Sequence, residues 1–166
     1  MNRHAVVSTR IGELTVVVSG DVLVGVYFPH HWVKPTVETL GERVESTDSL
    51  ITLVVEQLEE YFAGRRVSFD LPTRLAGDEF QRRVWTVLEE IPYGETTTYG
   101  EIAARLGEPA QMAQAVGKAV GQNPLSIVIP CHRVIGKNGS LTGYAGGLKR
   151  KQFLLDIEQP VGARLF

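Results

Sequence analysis

The pattern of apolar residues changes near residue 76, and this change most restricts the folds open to the chain. Before it, three short runs rich in β-branched residues lie at 5–7, 14–19 and 22–28, separated by glycine-containing turns. Residues 50–62 then show helical spacing of the apolar positions Leu50, Leu53, Val54, Leu58, Tyr61 and Phe62. We therefore expect a small antiparallel sheet, a helix on one of its faces, and a last strand and linker within residues 65–76.

The chain after residue 76 is predicted to be mainly helical. Asp78 followed three positions later by Gln81 is typical of a capped helix start, and this helix should end before Pro92. Thr98 and Glu101 repeat the same capping pattern at the start of a second helix. The sequence thus predicts two domains, an α/β domain over 1–76 and a helical domain over 77–166.

Two short helices in the second domain predict a helix-turn-helix. One runs over 99–106 and ends at Gly107, and Pro109 fits the first turn of the next, which runs to about residue 121. A plain helical hairpin without a nucleic-acid role has the same pattern. The second helix is rich in Ala and Gly. If it binds nucleic acid, such a thin helix suits the narrow minor groove; otherwise, its small residues allow close packing against a neighbouring helix. Its main polar side chains are Gln111, Gln114 and Lys118.

Charge and hydropathy are ordinary for a globular protein. The 166 residues are 43% hydrophobic and 22% charged, with a formal net charge of -2. Residues 1–76 carry 7 Lys and Arg against 10 Asp and Glu, whereas residues 77–166 carry 10 against 9. The balance in the second domain permits DNA contact without being diagnostic of it. No apolar run is long enough for a signal peptide or a membrane span, so we expect a cytoplasmic protein without membrane contact.

Metal and cofactor sites are not expected. The chain has one cysteine and four histidines, which excludes an intramolecular disulfide and disfavours zinc. The adjacent His30 and His31 are predicted to form a surface loop pair rather than a metal site. No cofactor-binding motif occurs in the sequence.

The single cysteine, Cys131, is the candidate nucleophile. It follows Pro130 and precedes His132, and a thiol needs a neighbouring base or cation such as Arg133 to become a thiolate near neutral pH. Pro130 should end an apolar strand over 125–129, which places the thiol at a strand end. On adjacency alone, a buried cysteine that serves as a small apolar residue is the commoner case.

A base next to the thiol also needs an orienting partner. Adjacent residues of an extended segment point to opposite faces, so we expect a bridging water between Cys131 and His132. Glu158, near the end of a predicted helix over 148–158, is the carboxylate expected to hold the second ring nitrogen of His132.

The order of short motifs resembles one family. The matching segments are Ile91-Pro92-Tyr93-Gly94, Thr98-Tyr99-Gly100-Glu101, Gly121-Gln122-Asn123-Pro124, Pro130-Cys131-His132-Arg133-Val134 and Gly143-Tyr144-Ala145-Gly146-Gly147-Leu148, followed by Leu154-Leu155 and Glu158. With these motifs the chain resembles the O6-alkylguanine-DNA alkyltransferases. The resemblance implies an α/β N-terminal ribonuclease-H-like domain and a mainly helical C-terminal domain with a winged-helix-like helix-turn-helix.

The resemblance assigns catalytic roles position by position. Cys131 would accept the alkyl group, His132 would deprotonate it through a water, and Glu158 would orient His132. Asn123 would be the hinge that ties the recognition helix to the active-site turn. Tyr99 would face the phosphate of the flipped nucleotide and the base.

Binding roles follow from the same resemblance. Lys151 would stabilise the leaving base. The residues that would form the guanine pocket are Tyr144, Ala145, Gly146, Gly147 and Val120. Those that would contact DNA are Gln114, Ala113, Ala115, Gly117, Lys118, Arg105 and Arg133. The implied partner is double-stranded DNA that contains O6-alkylguanine, bound by a monomer, with cooperative assembly on DNA left open.

Three positions bear on how fully the resemblance applies. The family commonly has an intercalating arginine where this chain has Gln114, and its better-known members carry Ser where this chain has Ala145. Non-catalytic relatives have Trp in place of the cysteine, so Cys131 favours an active protein.

Three reactions or roles remain open at this stage. The first is irreversible transfer of the alkyl group from O6-alkylguanine to Cys131 in a single-turnover repair reaction with base flipping, with O4-alkylthymine left open as a second substrate. The second is a cysteine hydrolase that uses Cys131 and His132 and turns over. The third is a DNA-binding regulator or damage sensor that does not use the thiol.

Overall fold

The computed structural model describes residues 1–29, 35–45 and 48–159, so His30 and His31 lie outside the described residues. The chain forms two compact units. The first consists of Met1–Ala76 and Pro124–Val128, and the second of Gly77–Asn123 and the chain from Ile129 onward. Among the described residues, no helix has the length and apolar character needed to cross a membrane.

The first unit is built on a four-stranded sheet. Its strands are β1 (Asn2–Thr9), β2 (Gly12–Ser19), β3 (Val22–Tyr27) and β4 (Glu42–Arg43), in the order β3-β2-β1-β4. The first three pair antiparallel, as the alternating runs predict, and β4 adds a short parallel edge to β1. The sequence does not predict β4, because two exposed charged residues carry no strand pattern.

Helix α2 (Ser49–Phe62) covers the sheet, after a single turn α1 (Val37–Leu40). Asp48 caps α2 by accepting from the N–H groups of Leu50 and Ile51, and Arg3 of β1 pairs with the same carboxylate. The buried face differs slightly from the predicted one, since Ile51 lies inside while Leu53 is 38% exposed.

Two strands expected from the sequence do not form. Within residues 65–76 only Thr73 makes a β-bridge, to Leu23, because Pro72 lacks the N–H that a longer ladder needs. Residues 125–129 do not form a continuous strand: Leu125 makes a single β-bridge to Val26, and the chain then turns at Ile127, which has a φ of 73°. The Val26 N–H donates to the Pro124 carbonyl, so residues 124–128 pack with the first unit although the predicted boundary put them in the second.

The second unit is mainly helical, as predicted. Its elements are α3 (Glu79–Glu89), β5 (Thr97–Thr98), α4 (Tyr99–Arg105), a 3₁₀ turn (Ala110–Met112), α5 (Ala113–Gly121), a second 3₁₀ turn (Cys131–Arg133), β6 (Val134–Ile135) and α6 (Leu148–Glu158). Both predicted capping boxes form, at Asp78 with Gln81 and at Thr98 with Glu101. Pro109 precedes the 3₁₀ turn rather than lying in the first turn of α5.

Helices α4 and α5 make the helix-turn-helix, and α3 supports it. Gly107, with a φ of 73°, lets the chain turn after α4. The indole N–H of the buried Trp85 donates to the Ala119 carbonyl over 2.8 Å and joins α3 to α5. The parallel bridge of β5 with β6 connects the start of α4 to the chain that follows the second 3₁₀ turn.

Candidate active site and nucleic-acid interface

Cys131 begins a tight turn instead of following a strand. Its N–H donates to the Ile129 carbonyl over 2.7 Å across Pro130, whose φ of -78° and ψ of 64° are those of an inverse γ-turn. The Arg133 N–H then donates to the Pro130 carbonyl over 3.0 Å and closes the 3₁₀ turn. Three consecutive side chains, those of Cys131, His132 and Arg133, are buried by this turn.

Asn123 connects the end of α5 to this turn. Its side-chain N–H donates to the Ile129 carbonyl over 2.9 Å, and the residue is 1% exposed. This hydrogen bond spans the segment between the two residues, and because it is buried it fixes the distance between Asn123 and Ile129. The C-terminal end of α5 and the cysteine turn are therefore held together by a side chain as well as by the chain itself.

The imidazole of His132 lies against Glu158 of α6. Nε2 of His132 is 2.8 Å from Oε2 of Glu158, and both side chains are buried. Oε1 of the same carboxylate accepts from the Gly94 N–H over 3.2 Å. The structure thus brings together two residues that are 26 positions apart in the sequence, as expected if Glu158 holds a ring nitrogen of His132.

Arg133 makes a two-bond ion pair with the same carboxylate. Its Nε donates to Oε1 of Glu158 over 2.7 Å and its Nη2 donates to Oε2 over 2.9 Å. Nη1 donates to the Ile91 carbonyl over 2.6 Å, and the guanidinium lies 5.8 Å from the centre of the Tyr93 ring. The prediction that Arg133 contacts DNA phosphate is therefore wrong, because its donors are engaged inside the unit and the residue is 8% exposed.

The charges around Glu158 keep it ionised. Burial raises the pKa of this carboxyl group, but the hydrogen bonds and charges of His132 and Arg133 outweigh burial and lower the pKa to about 2. Burial lowers the pKa of His132, with Glu158 acting in the opposite direction and the charges of Arg133 and Lys151 lowering it further. The resting site consequently holds a carboxylate next to a neutral imidazole, which is the form that can accept a proton.

The thiol of Cys131 is protonated at rest. Burial raises its pKa, and the side chain of Asn123, the charge of Lys151 and the side chain of Tyr144 each act to lower it. Arg133 is not among the groups that lower it, contrary to the expectation from sequence, because its charge is paired with Glu158. A buried thiol of this kind needs a base to become a nucleophile.

Lys151 lies in the interior near the thiol. It is 1% exposed, and its ammonium group donates to the Val134 carbonyl over 2.6 Å and to the Thr142 carbonyl over 3.2 Å. Burial lowers its pKa to about 8, while the nearby Cys131 raises it. The Tyr99 hydroxyl lies 2.6 Å from Oγ1 of Thr142. Thr142 is not predicted from the sequence, because a single polar residue in a loop has no pattern.

The remaining predicted pocket residues form a compact segment before α6. Tyr144 and Ala145 are buried, and the Gly147 N–H donates to the Tyr144 carbonyl over 2.9 Å. Gly147 has a φ of 90°, a conformation that glycine adopts without strain, and α6 begins at the next residue. Val120, at the end of α5, is also buried.

The exposed side of α5 carries two of the predicted DNA-contacting residues. Gln114 and Lys118 are exposed and lie on one face of the helix, whereas Ala113, Ala115 and Gly117 are half-buried. A side-chain carbon at Gly117 would lie 3.5 Å from the Tyr99 ring, so the ring packs closely against α5. Arg105 is exposed and pairs with Glu90 over 2.7 Å. Across the described residues, no cluster of His, Cys, Asp and Glu side chains is suited to a metal ion.

Comparison with known proteins identifies the two units. Residues 2–75 match the ribonuclease-like domain of 6-O-methylguanine DNA methyltransferase, and residues 79–160 match the DNA-binding domain of the same family. The chain belongs to the 6-O-methylguanine DNA methyltransferase family. This confirms the predicted family and fold class, and it makes the protein a DNA-binding alkyltransferase of DNA repair.

Individual members of the family are similar to this chain over most of its length. The methylated-DNA–protein-cysteine methyltransferase of Mycobacterium tuberculosis is 43% identical over 159 residues, which cover 96% of this chain and 93% of the relative. The constitutive methylated-DNA–protein-cysteine methyltransferase of Bacillus subtilis is 44% identical, with 96% of each chain covered. The crystal structure of Mycobacterium tuberculosis OGT in complex with DNA has a TM-score of 0.85 at 42% identity, covering 94% of this chain and 92% of that chain.

Proposed function

We propose that this alkyltransferase removes the alkyl group from O6-alkylguanine in double-stranded DNA by transferring it irreversibly to Cys131. The observation that supports this most is the buried turn in which Cys131 and His132 are consecutive residues, with Nε2 of His132 lying 2.8 Å from the buried carboxylate of Glu158. The thioether product is inert to water, so each molecule reacts once. A thioester of a hydrolase would instead be cleaved by water and released.

The thiol loses its proton to His132. Glu158 engages Nε2, so Nδ1 is the ring nitrogen that accepts the proton, through the water expected between Cys131 and His132. The imidazolium that forms is stabilised by Glu158, whose pKa of about 2 keeps it charged throughout. His132 is therefore the base and Glu158 a positioning residue.

The thiolate attacks the alkyl carbon while the base leaves. The S–C bond forms as the C–O6 bond breaks, and the departing guanine takes up a proton that Tyr99 donates. Lys151 stabilises the negative charge that develops on the base, because an ammonium group inside the unit acts at low dielectric. The segment Tyr144 to Gly147, with Val120, forms the pocket wall.

Access to the reacting carbon requires the nucleotide to leave the base stack. We propose that α5 lies in the minor groove, where its small residues Ala113, Ala115 and Gly117 permit close approach. Gln114 then occupies the gap left by the flipped base, and Lys118 and Arg105 contact phosphates. Asn123 links this helix to the cysteine turn. The protein acts as a cytoplasmic monomer, and any cooperative assembly on DNA would form along the same DNA-binding surface.

The substrate class is tested with duplexes that differ only in one base. The protein is mixed with equal amounts of duplex carrying O6-methylguanine, O4-methylthymine or the unmodified base, and the methyl groups lost from DNA are counted per molecule of protein. We expect transfer from O6-methylguanine and none from the unmodified duplex. Absence of transfer from O6-methylguanine would contradict the proposal, and the O4-methylthymine arm decides whether that base is a second substrate.

Glu158→Gln should slow methyl transfer by about 10- to 100-fold, because the amide keeps the shape of the carboxylate but does not stabilise the imidazolium. Single-turnover rates, measured well below the melting temperature of each variant, provide the test. Glu95→Gln, which neutralises an exposed carboxylate in the same unit, is the matched control and should leave the rate unchanged. An unchanged rate in Glu158→Gln would remove this residue from the proposed mechanism.

Gln114→Arg should tighten binding to duplex DNA and steepen its salt dependence by roughly one phosphate contact, because arginine can both fill the gap and neutralise a phosphate. Gln114→Ala should weaken binding to duplex more than to single strands, since only a duplex offers an orphaned partner base. Dissociation constants on both substrates across a salt series measure these effects.

Gln111→Ala is the control for this series, because Gln111 is an exposed glutamine on the 3₁₀ turn before α5. It should change the affinity for duplex less than Gln114→Ala does. If Gln114→Ala binds duplex as tightly as the parent protein, Gln114 does not fill the gap and the proposed placement of α5 is wrong.

A further inference from the structure

Thr142 lies between two groups of the proposed mechanism. Its Oγ1 is 2.6 Å from the Tyr99 hydroxyl and 3.4 Å from Nζ of Lys151. We propose that Thr142 is a positioning residue that relays a proton from Lys151 to Tyr99 as the guanine leaves. The inference rests on the proposed function and extends it to a residue outside the motifs of the sequence.

The Tyr99–Thr142 contact permits either hydroxyl to donate, and the donors of Lys151 favour one direction for the relay. An ammonium group has three N–H donors and no acceptor, and those of Lys151 go to the Val134 carbonyl, the Thr142 carbonyl and Oγ1 of Thr142. Because Oγ1 accepts from Lys151, the hydroxyl proton of Thr142 is available to donate to the oxygen of Tyr99. The Tyr99 oxygen then accepts from Thr142, which leaves the phenolic proton of Tyr99 to be donated to the departing guanine.

Both ends of the relay are held in place. The Tyr99 ring packs against Gly117 of α5, and Tyr99 is the first residue of α4, whose N-terminus is capped by Thr98. Lys151 is almost fully buried, and burial favours its neutral form, so it releases a proton more readily than a surface lysine. The relay thus connects a buried proton source to the half-buried phenol.

The protons balance over the whole reaction. Tyr99 gives its phenolic proton to a ring nitrogen of the departing guanine. Tyr99 regains a proton from the Thr142 hydroxyl, which regains one from Lys151 and leaves a neutral amine. The proton of the Cys131 thiol is held by His132 meanwhile. No external reactant is needed, and the products are a methyl thioether at Cys131, a protonated His132, a neutral Lys151 amine and a neutral guanine.

Thr142→Val tests the relay, because valine keeps the branched shape and removes the hydroxyl. We expect the single-turnover rate with O6-methylguanine duplex to fall by about 10-fold or more, within the range of general acid catalysis. DNA affinity should be unchanged, and Thr142→Ser, which restores the hydroxyl, should recover most of the rate. Equal rates in Thr142→Val and the parent would overturn the relay alone, whereas a parent protein that transfers no methyl group would overturn the proposed function as well.

Methyl iodide separates a relay from a structural effect. Iodide leaves without a proton, so methylation of Cys131 by methyl iodide should be equally fast in the parent and in Thr142→Val. An equal slowing with both methyl donors would show that Thr142 acts on the thiol or on the fold, and would overturn the relay. If valine prevents folding, Thr142→Ala gives the same comparison.

A double-mutant cycle provides a further measurement. Tyr99→Phe removes the phenolic proton, so adding Thr142→Val to Tyr99→Phe should slow the reaction little further. Independent, multiplicative effects of the two substitutions would contradict a shared path.

Discussion

Cys131→Ser should abolish methyl transfer and leave DNA binding in place. An alcohol is far less ionised than a thiol, so the neutral imidazole of His132 does not generate a competent nucleophile from it. Serine is slightly smaller than cysteine, so we expect no steric clash, and the side chain of Asn123, which bonds to the thiol, should bond to the new hydroxyl in the same way. Loss of methyl groups from O6-methylguanine duplex and the dissociation constant for the same duplex are the two measurements.

The parent protein after complete reaction with substrate is a useful control for this variant, because it has also lost its nucleophile. Both should fail to take methyl groups from fresh duplex. Measurable transfer by Cys131→Ser would mean that another residue is the acceptor, and the assignment of the cysteine turn as the reactive centre would be wrong.

Arg133→Met should destabilise the protein by about 3–5 kcal/mol, because it leaves the carboxylate of Glu158 buried without its two-bond partner. The side chain of Glu158 is 1% exposed, so water does not replace the lost donors. Methionine preserves much of the apolar stem of arginine, which limits the loss of packing. Urea unfolding of the variant and the parent gives the difference in the free energy of unfolding.

The matched control is Arg105→Met, which breaks an arginine–glutamate pair of the same unit at the surface. The side chains of Arg105 and Glu90 are 46% and 54% exposed, so the change should be below about 1 kcal/mol. Similar losses in the free energy of unfolding for the two variants would show that burial of the Arg133–Glu158 pair does not increase its contribution to stability. A small loss for Arg133→Met would contradict its structural role.

Local signals in the sequence predict the parts of the fold that depend on neighbouring residues. The capping boxes at Asp78 and Thr98 form as expected, because a helix N-terminus is satisfied within one turn of the chain. The limits of α6 follow likewise from its own spacing. Strand β4 and the missing strand at 65–76 are different, since strands depend on partners elsewhere in the chain.

In the site, too, the sequence predicts side-chain contacts that depend on local patterns but not those that depend on distant parts of the chain. Glu158 is predictable as a partner of His132 because it lies at the end of a predicted helix, although Asp156 lies in the same last turn. The inward position of Arg133 is not predictable, because nothing local shows that Ile127 and Pro130 turn the backbone so that three consecutive residues are buried. Thr142 is recognised only when the loop before α6 places it between two other polar groups.

The central claim, irreversible transfer to Cys131, is tested most directly by the intact mass of the protein after reaction with excess O6-methylguanine duplex. The account predicts a gain of one methyl group per chain, located on Cys131 by mass analysis of its peptides, and no further loss of methyl groups from DNA once all chains have reacted. Continued loss of methyl groups beyond one per chain, with protein of unchanged mass, would show a turnover reaction and contradict the account.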